Sequence, residues 1–223
     1  MTDSILVKSM LDLEKTIASD LFNGVTLPWE VLSHITEFIL ELGPTLNSDV
    51  FEQRGDNIWV ARSAKIAPTA NIAGPVIIDE GAEIRHGAFI RGSAIIGKGS
   101  VIGNSTEIKN AVIFDKAQIP HYNYVGDSIL GYMAHMGAGA VTSNLKSDKS
   151  LVTVLVNGEK VETGLKKFGA ILGNHADIGC NSVLCPGAVI GTKSRVYPLS
   201  MVRGFIPPKH IYKNKNKIVE ITD

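Results

Sequence analysis

The sequence is short of the residues that would make several kinds of protein. Only two of its 223 residues are cysteine, Cys180 and Cys185, which excludes a disulfide framework and fits free thiols in a reducing compartment. Lysine plus arginine equals aspartate plus glutamate, 22 of each, so no net field draws the chain to nucleic acid or to an anionic membrane. Aromatics make up 6%, too few for a base-stacking platform. No apolar run reaches the roughly 20 residues that cross a bilayer, and no signal-peptide pattern opens the chain. The expectation is a cytoplasmic protein that binds neither nucleic acid nor membrane.

What is present is a ladder. Isoleucine occupies positions 66, 72, 78, 84, 90, 96, 102 and 108, every sixth residue, a spacing that suits neither an α-helix nor simple strand alternation. Four residues after each comes a small or β-branched side chain: Ala70, Val76, Ala82, Ala88, Ala94, Ser100, Thr106 and Val112. A six-residue period is the mark of a parallel β-helix. Three hexads close one triangular coil, and successive coils stack about 4.8 Å apart, as strands do in any sheet. The isoleucines point inward, the small residues fit the corners, and segments such as Gly97-Lys98-Gly99 serve the turns. The period slips after Phe114, resumes in a new phase at Leu130 and Met136, and returns cleanly at Leu172, Ile178, Leu184, Ile190, Val196 and Val202.

Three segments stand outside the repeat. Residues 1–55 carry helical spacing, in one stretch from Ile5 to Phe22 and a second from Thr26 to Leu42 that begins at Pro28 and stops at Gly43-Pro44. This helical segment is expected to cap the first coil. Asn57-Ile58-Trp59-Val60 reads as the first strand of a β-helix domain over residues 56–205. Within residues 144–168, Leu151–Val156, Asn157-Gly158 and Lys160–Glu162 read as a hairpin with a type I′ turn projecting from the solenoid. Residues 206–223, rich in Lys and Asn, are expected to form a solvated tail.

Irregular backbone in a regular solenoid is where function concentrates. The breaks carry Glu107-Ile108-Lys109-Asn110, then Pro120-His121-Tyr122-Asn123-Tyr124-Val125-Gly126-Asp127, then Gly137-Ala138-Gly139-Ala140-Val141-Thr142-Ser143-Asn144. These three motifs in this order resemble the acetyltransferase domain of the bifunctional glucosamine-1-phosphate N-acetyltransferase/UDP-N-acetylglucosamine pyrophosphorylase family. The Asn144-Leu145-Lys146 continuation is most similar to the variants fused to archaeal sugar-1-phosphate nucleotidyltransferases. The resemblance covers about residues 60–205. It implies a mainly β fold, the left-handed parallel β-helix of hexapeptide transferases, whose connections depart from the usual right-handed crossover.

It also implies roles. His121 would be the general base for an amino-sugar 1-phosphate attacking acetyl-CoA, glucosamine-1-phosphate first among the acceptors. Arg91 and Lys109 would hold the sugar phosphate, Tyr124 and Asn144 the sugar, and Ala138 with Gly139 the acetyl-CoA. His135 and Leu145 stand where bacterial members carry asparagine and tyrosine, and His135 could line or join the acceptor site. The chemistry suits the residues. Histidine titrates near neutrality, Arg and Lys bind phosphate oxygens, and a Gly-Ala-Gly turn offers a backbone N–H to the thioester oxyanion.

The same resemblance implies a homotrimer with acetyl-CoA between adjacent prisms and direct transfer without an acyl-enzyme or metal. The G-x-G-T-R loop of the nucleotidyltransferase half does not occur in the sequence, so a stand-alone acetyltransferase without nucleotidyltransferase activity is expected. Two other readings remain: a non-catalytic trimeric β-helix scaffold, and transfer to a different amino-sugar phosphate or sugar nucleotide. The zinc-dependent γ-carbonic anhydrases share the solenoid, but His86, His121, His135 and His175 lack the H-x4-H pair that such a site uses.

Overall fold

The computed structural model describes residues 2–213 and 217–221. From Ile58 onward short parallel strands climb a left-handed, three-faced β-helix. The isoleucine ladder is dealt out to the three faces in turn. Ile66, Ile84 and Ile102 stack on the first. Ile72, Ile90 and Ile108 stack on the second, and Ile78 and Ile96 on the third. Together with Leu172, Ile178, Leu184, Ile190 and Val202 they fill the axis of the prism. Ala82, Ala88, Ala94, Ser100 and Thr106 are buried at the corners, as the repeat requires. Within the strand Val101–Asn104 one side chain is impossible: a Cβ on Gly103 would overlap the Pro120 carbonyl of the next coil.

The third face differs from the other two. Its strands read Val76-Ile77-Ile78, Ala94-Ile95-Ile96, Ala111-Val112-Ile113, Ser128-Ile129-Leu130, Ala170-Ile171-Leu172 and Ala188-Val189-Ile190. The middle residue of each triplet points outward, yet all six are 0% exposed. What covers them is the N-terminal segment, joined by Val152, Val154, Val156 and Phe168 from the excursion after Asn144. The N-terminal segment contributes Ile5, Met10, Phe22, Trp29, Val31, Ile35 and Ile39 to a second core outside the prism. Burying a side chain of this size contributes about 1.5–3 kcal/mol, so this outer layer adds substantially to the stability of the prism it covers.

The N-terminal segment is therefore a strap and not a cap on the first coil. Its contacts descend the stack from the C-terminal coils to the first ones. The Met10 carbonyl accepts from the Asn174 N–H (2.9 Å), Lys15 from Asp115 (3.0 Å) and Leu32 from the Asn110 side chain (3.1 Å), while Thr36 meets Ser93 (2.6 Å). The first expected helix is broken for the same reason. Only Val7–Met10 is α-helical, flanked by single 3-10 turns at Thr2–Ile5, Leu13–Lys15 and Ser19–Phe22. Carbonyls drawn to the coil corners leave the i to i+4 ladder. The second stretch is closer to expectation. Pro28–Ser33 is a 3-10 entry, whose Glu30 accepts from the N–H groups of Thr26 and Leu27 just before it, and Ile35–Leu42 is α-helical. Phe51–Gly55 pairs antiparallel with Ile58–Ala61, so a hairpin spans the expected boundary at residue 55.

The chain leaves the coil after Asn144 on an excursion, the second interruption of the repeat, and rejoins it at Phe168, whose N–H donates to the Asn144 carbonyl. Thr153–Val156 and Glu159–Glu162 form the hairpin, with Asn157 and Gly158 both at positive φ as a type I′ turn demands. It does not project. Val152, Val154 and Val156 are buried in the outer core, and the hairpin lies along the coil wall. The expected tail is also structured where it is described. His210–Lys213 stacks on Arg195–Val196, and Lys217–Glu220 folds back against it. Asn214–Asn216 and Thr222–Asp223 lie outside the described residues.

The slip in the repeat falls earlier than Phe114. Ile113 stands over Ile96 and Val125 over Ile108, each seventeen residues on, not eighteen. The missing residue comes from the corner between the second and third faces. There Glu107–Ile113 and Tyr124–Leu130 each run unbroken through the bend. Asn110 and Asp127 take the bend at φ +47° and +49°, a conformation that asparagine and aspartate tolerate better than most side chains.

Candidate active site

The tightened corner gathers polar side chains from three coils. Register sets Arg91, Lys109 and Gly126 above one another on the second face. Asn110, Asp127 and Asn144 follow along the adjoining edge. Arg91 donates to Glu107 at 2.6 Å, with both side chains partly in solvent. Lys109 lies 3.7 Å from Asp127, and these two are the more enclosed, at 22% and 7% exposed. Asp127 also accepts from Asn110 (2.9 Å) and from Asn144 (2.5 Å), while Asn144 donates to the Tyr124 hydroxyl (3.2 Å). Burial, then the charges of Asp127 and Glu107, push the Tyr124 phenol above its ordinary range, so it remains a protonated donor.

His121 ends the first-face strand Gln118–His121, at the corner that this face shares with the second. Its side chain is exposed, and its N–H donates to Asn123 Oδ1 at 3.0 Å. Asn123 is itself buried and donates to the carbonyls of Gly137 (2.8 Å) and Ala140 (2.9 Å). One asparagine thus ties the His121 turn to the Gly137–Ala140 turn directly above it. The Gly139 N–H is consumed by the His121 carbonyl at 3.0 Å. Among the described residues the Ala138 N–H has no acceptor, so of the two expected acetyl-CoA contacts only Ala138 offers a free backbone donor.

The structure therefore brings Tyr124 and Asn144 into one hydrogen-bonded cluster with Asp127, to which Lys109 is ion-paired, sets Arg91 on the coil beside it, and places His121, Ala138 and Gly139 at the far corner. It does not bring in His135. That side chain lies on the first face, paired with Asp177 at 2.8 Å, which holds the Asp177 carboxyl below its ordinary range against the opposing effect of burial. Glu107, Asn110, Asn123 and Asp127 join the site without having been singled out by the sequence motifs that contain them. The signal that could have found them is a short polar side chain beside each break. Cys180 is exposed and Cys185 buried, both as free thiols. No three His, Cys, Asp or Glu side chains converge among the described residues.

Beside His121, Tyr122 is 66% exposed; three coils farther up, Leu199 at the same corner and Met201 on the second face are 79% and 56% exposed.

Comparison with known proteins agrees on the kind of domain. The family model described as the GMPPB C-terminal domain matches residues 72–168. A bifunctional protein GlmU of Methanococcus vannielii is 30% identical over 240 residues, covering 98% of this chain and 53% of that protein. A bifunctional sugar-1-phosphate nucleotidylyltransferase/acetyltransferase of Sulfurisphaera tokodaii is 39% identical over 92 residues, 41% of this chain and 23% of its own length. The chain thus spans about half, or less, of these relatives. Among solved structures, a perosamine N-acetyltransferase variant from Caulobacter crescentus with CoA and GDP-perosamine is 17% identical. The match covers 74% of this chain and 57% of that one at a TM-score of 0.36, too distant to bear on the site.

Proposed function

The chain belongs to the family of β-helical acetyltransferase domains found in GlmU-type bifunctional proteins, and on that basis we propose that it transfers an acetyl group from acetyl-CoA to the amine of an amino-sugar 1-phosphate. Glucosamine-1-phosphate is the acceptor we place first. The observation that carries the reading is the second face itself. Cations at Arg91 and Lys109 and sugar-type partners at Tyr124 and Asn144 share one wall with an exposed histidine at its corner.

The proposed chemistry follows from the groups. Arg91 and Lys109 bind the phosphate oxygens, while Tyr124 and Asn144 hydrogen-bond the ring hydroxyls. The amine nitrogen attacks the thioester carbonyl. As the N–C bond forms, His121 takes the proton the nitrogen sheds. The oxyanion faces the unspent Ala138 N–H. When the C–S bond breaks, His121 returns the proton to the CoA thiolate. No metal is needed at any step. The site is open on its outer side, with Tyr122 exposed beside His121 and Leu199 and Met201 exposed farther up the prism, and a homotrimer would close it by placing a neighbouring prism there. Both substrates are cytoplasmic metabolites, which is where the reading puts the protein.

The test is a thiol-release assay with acetyl-CoA and glucosamine-1-phosphate, galactosamine-1-phosphate or glucosamine-6-phosphate. Turnover should be greatest with a 1-phosphate and fall about 10²- to 10⁴-fold in His121→Ala. No turnover with any acceptor would leave the scaffold reading, and an unchanged His121→Ala would remove the base.

A further inference from the structure

Asp127 is a buried carboxylate in the middle of the cluster that neither proton transfer nor phosphate binding requires. Its place in the fold is costly to reach, since it bends the shortened corner at φ +49°. Its two oxygens are fully engaged. Oδ1 accepts from Asn110 Nδ2, and Oδ2 accepts from Asn144 Nδ2 with the Lys109 ammonium 3.7 Å away. A carboxylate accepts and does not donate, so Asn144 must turn its NH2 group toward it. The same nitrogen donates to the Tyr124 oxygen at 3.2 Å. Both amide hydrogens of Asn144 are then spent inside the protein. Its carbonyl oxygen is left over, with no partner among the described residues, and the Tyr124 proton is left over beside it.

A missing side chain lets this happen. A Cβ on Gly126 would overlap the Tyr124 hydroxyl and lie 3.0 Å from Asn144 Nδ2, so only glycine there allows the phenol to fold back across the strand to Asn144. The strap braces the arrangement from behind, because the second Asn110 hydrogen is held by the Leu32 carbonyl at 3.1 Å.

We infer that Asp127 is a positioning residue that sets the polarity of the acceptor subsite: it orients Asn144 as a hydrogen-bond acceptor and, through it, Tyr124 as a donor. One sugar hydroxyl satisfies both, giving its proton to Asn144 Oδ1 and taking that of Tyr124. The subsite therefore selects a sugar with a free hydroxyl at that position over its deoxy or O-alkylated counterpart. Specificity of this kind is steep, because the analogue leaves buried polar groups without partners.

The inference rests on the acetyltransferase reading, and the two fail separately. Absent turnover by the wild type sinks that reading; the variants below sink this one. Acceptor and acetyl-CoA KM are measured for wild type, Asp127→Asn and the exchanged pair Asp127→Asn/Asn144→Asp, with melting curves for each. In Asp127→Asn an amide can no longer fix the Asn144 amide in one sense. The acceptor KM should rise about tenfold or more while the acetyl-CoA KM holds within about twofold. The exchanged pair should not regain that loss, since a carboxylate at 144 has no N–H to give and takes the Tyr124 proton itself, so a restored acceptor KM in the exchanged pair would overturn the inference. An unchanged acceptor KM in folded Asp127→Asn overturns the inference. So does a parallel worsening of both KM values and the melting curve in Asp127→Asn, which would mark a plain fold defect. Should Asp127→Asn fail to fold, deoxy acceptors on wild type and Asn144→Ala decide. One deoxy analogue should lose about tenfold on wild type and nothing further on Asn144→Ala. If no analogue shows that coupling, the inference falls.

Discussion

Replacing Trp29 by alanine tests whether the strap is part of the core or only rests on it. Trp29 is 1% exposed, and its ring lies 5.6 Å from that of Phe168, the residue at which the second excursion rejoins the coil. Truncating a buried tryptophan costs about 3–5 kcal/mol, a figure that includes the lost transfer energy and the cavity left behind. The aromatic pairing makes up about 0.5–1.5 kcal/mol of it. Set against the roughly 5–15 kcal/mol of a whole domain, this is enough to open the strap locally while the coils stand. Stacked repeats do not unfold in one step, so a single melting temperature is the wrong measure. Hydrogen exchange on peptides is the right one. Residues 26–46 should exchange about 10²- to 10³-fold faster in Trp29→Ala, and much less so in Trp29→Phe, which keeps a ring against Phe168. Three residues on, the Leu32 carbonyl holds Asn110, so protection should also fall over residues 107–113 and the acceptor KM should rise. A change in strap protection worth under about 1 kcal/mol would refute the claim that the strap and the prism share one core.

Two further outcomes follow from the same packing and electrostatics. Val154 is 0% exposed beneath the hairpin, so Val154→Asp buries an unpaired charge and should lift residues 144–168 off the wall. Limited proteolysis should then cut that segment quickly and spare the coils; unchanged resistance would mean that the hairpin stands free. On the first face, His135→Ala should let the Asp177 carboxyl rise toward its ordinary value near 3.8, followed by NMR titration. Because the folded pKa is depressed, the stability tied to it is present above the unfolded carboxylate pKa and lost as pH falls through the folded one. Wild type and His135→Ala should therefore converge in stability at strongly acid pH, and a gap that persists there would contradict the pairing.

Some of this is legible in the residues alone. A six-residue isoleucine period leaves one geometry in which all eight side chains point inward, so the spacing by itself yields the solenoid and its axis. The hairpin turn is equally local, because Asn157-Gly158 suits two consecutive positive φ angles. The strap is harder to read, although its signal is present. Where two faces pair an inward isoleucine with polar neighbours, the third carries an apolar residue outward at Ile77, Ile95, Val112, Ile129, Ile171 and Val189. A helical pattern in the N-terminal segment says that it has an apolar face but not what covers it, and contacts 162 residues apart, such as Asp12 to Asn174, decide that.

The candidate site divides along the same line. His121, Arg91, Lys109, Tyr124 and Asn144 are identifiable as residue types at motif positions, because side-chain chemistry is a property of the residue itself. Which of them touch, and in what sense each hydrogen bond runs, depends on one residue missing from a corner in two successive coils. That deletion carries Asp127 to Asn110 and Asn144, while His135 stays on the first face with Asp177. Sequence by itself determined the repeat, because inward direction follows directly from spacing along one chain. Only the tertiary structure decided the covering of the third face and the polarity of the site, because both arise where separate coils and the strap meet.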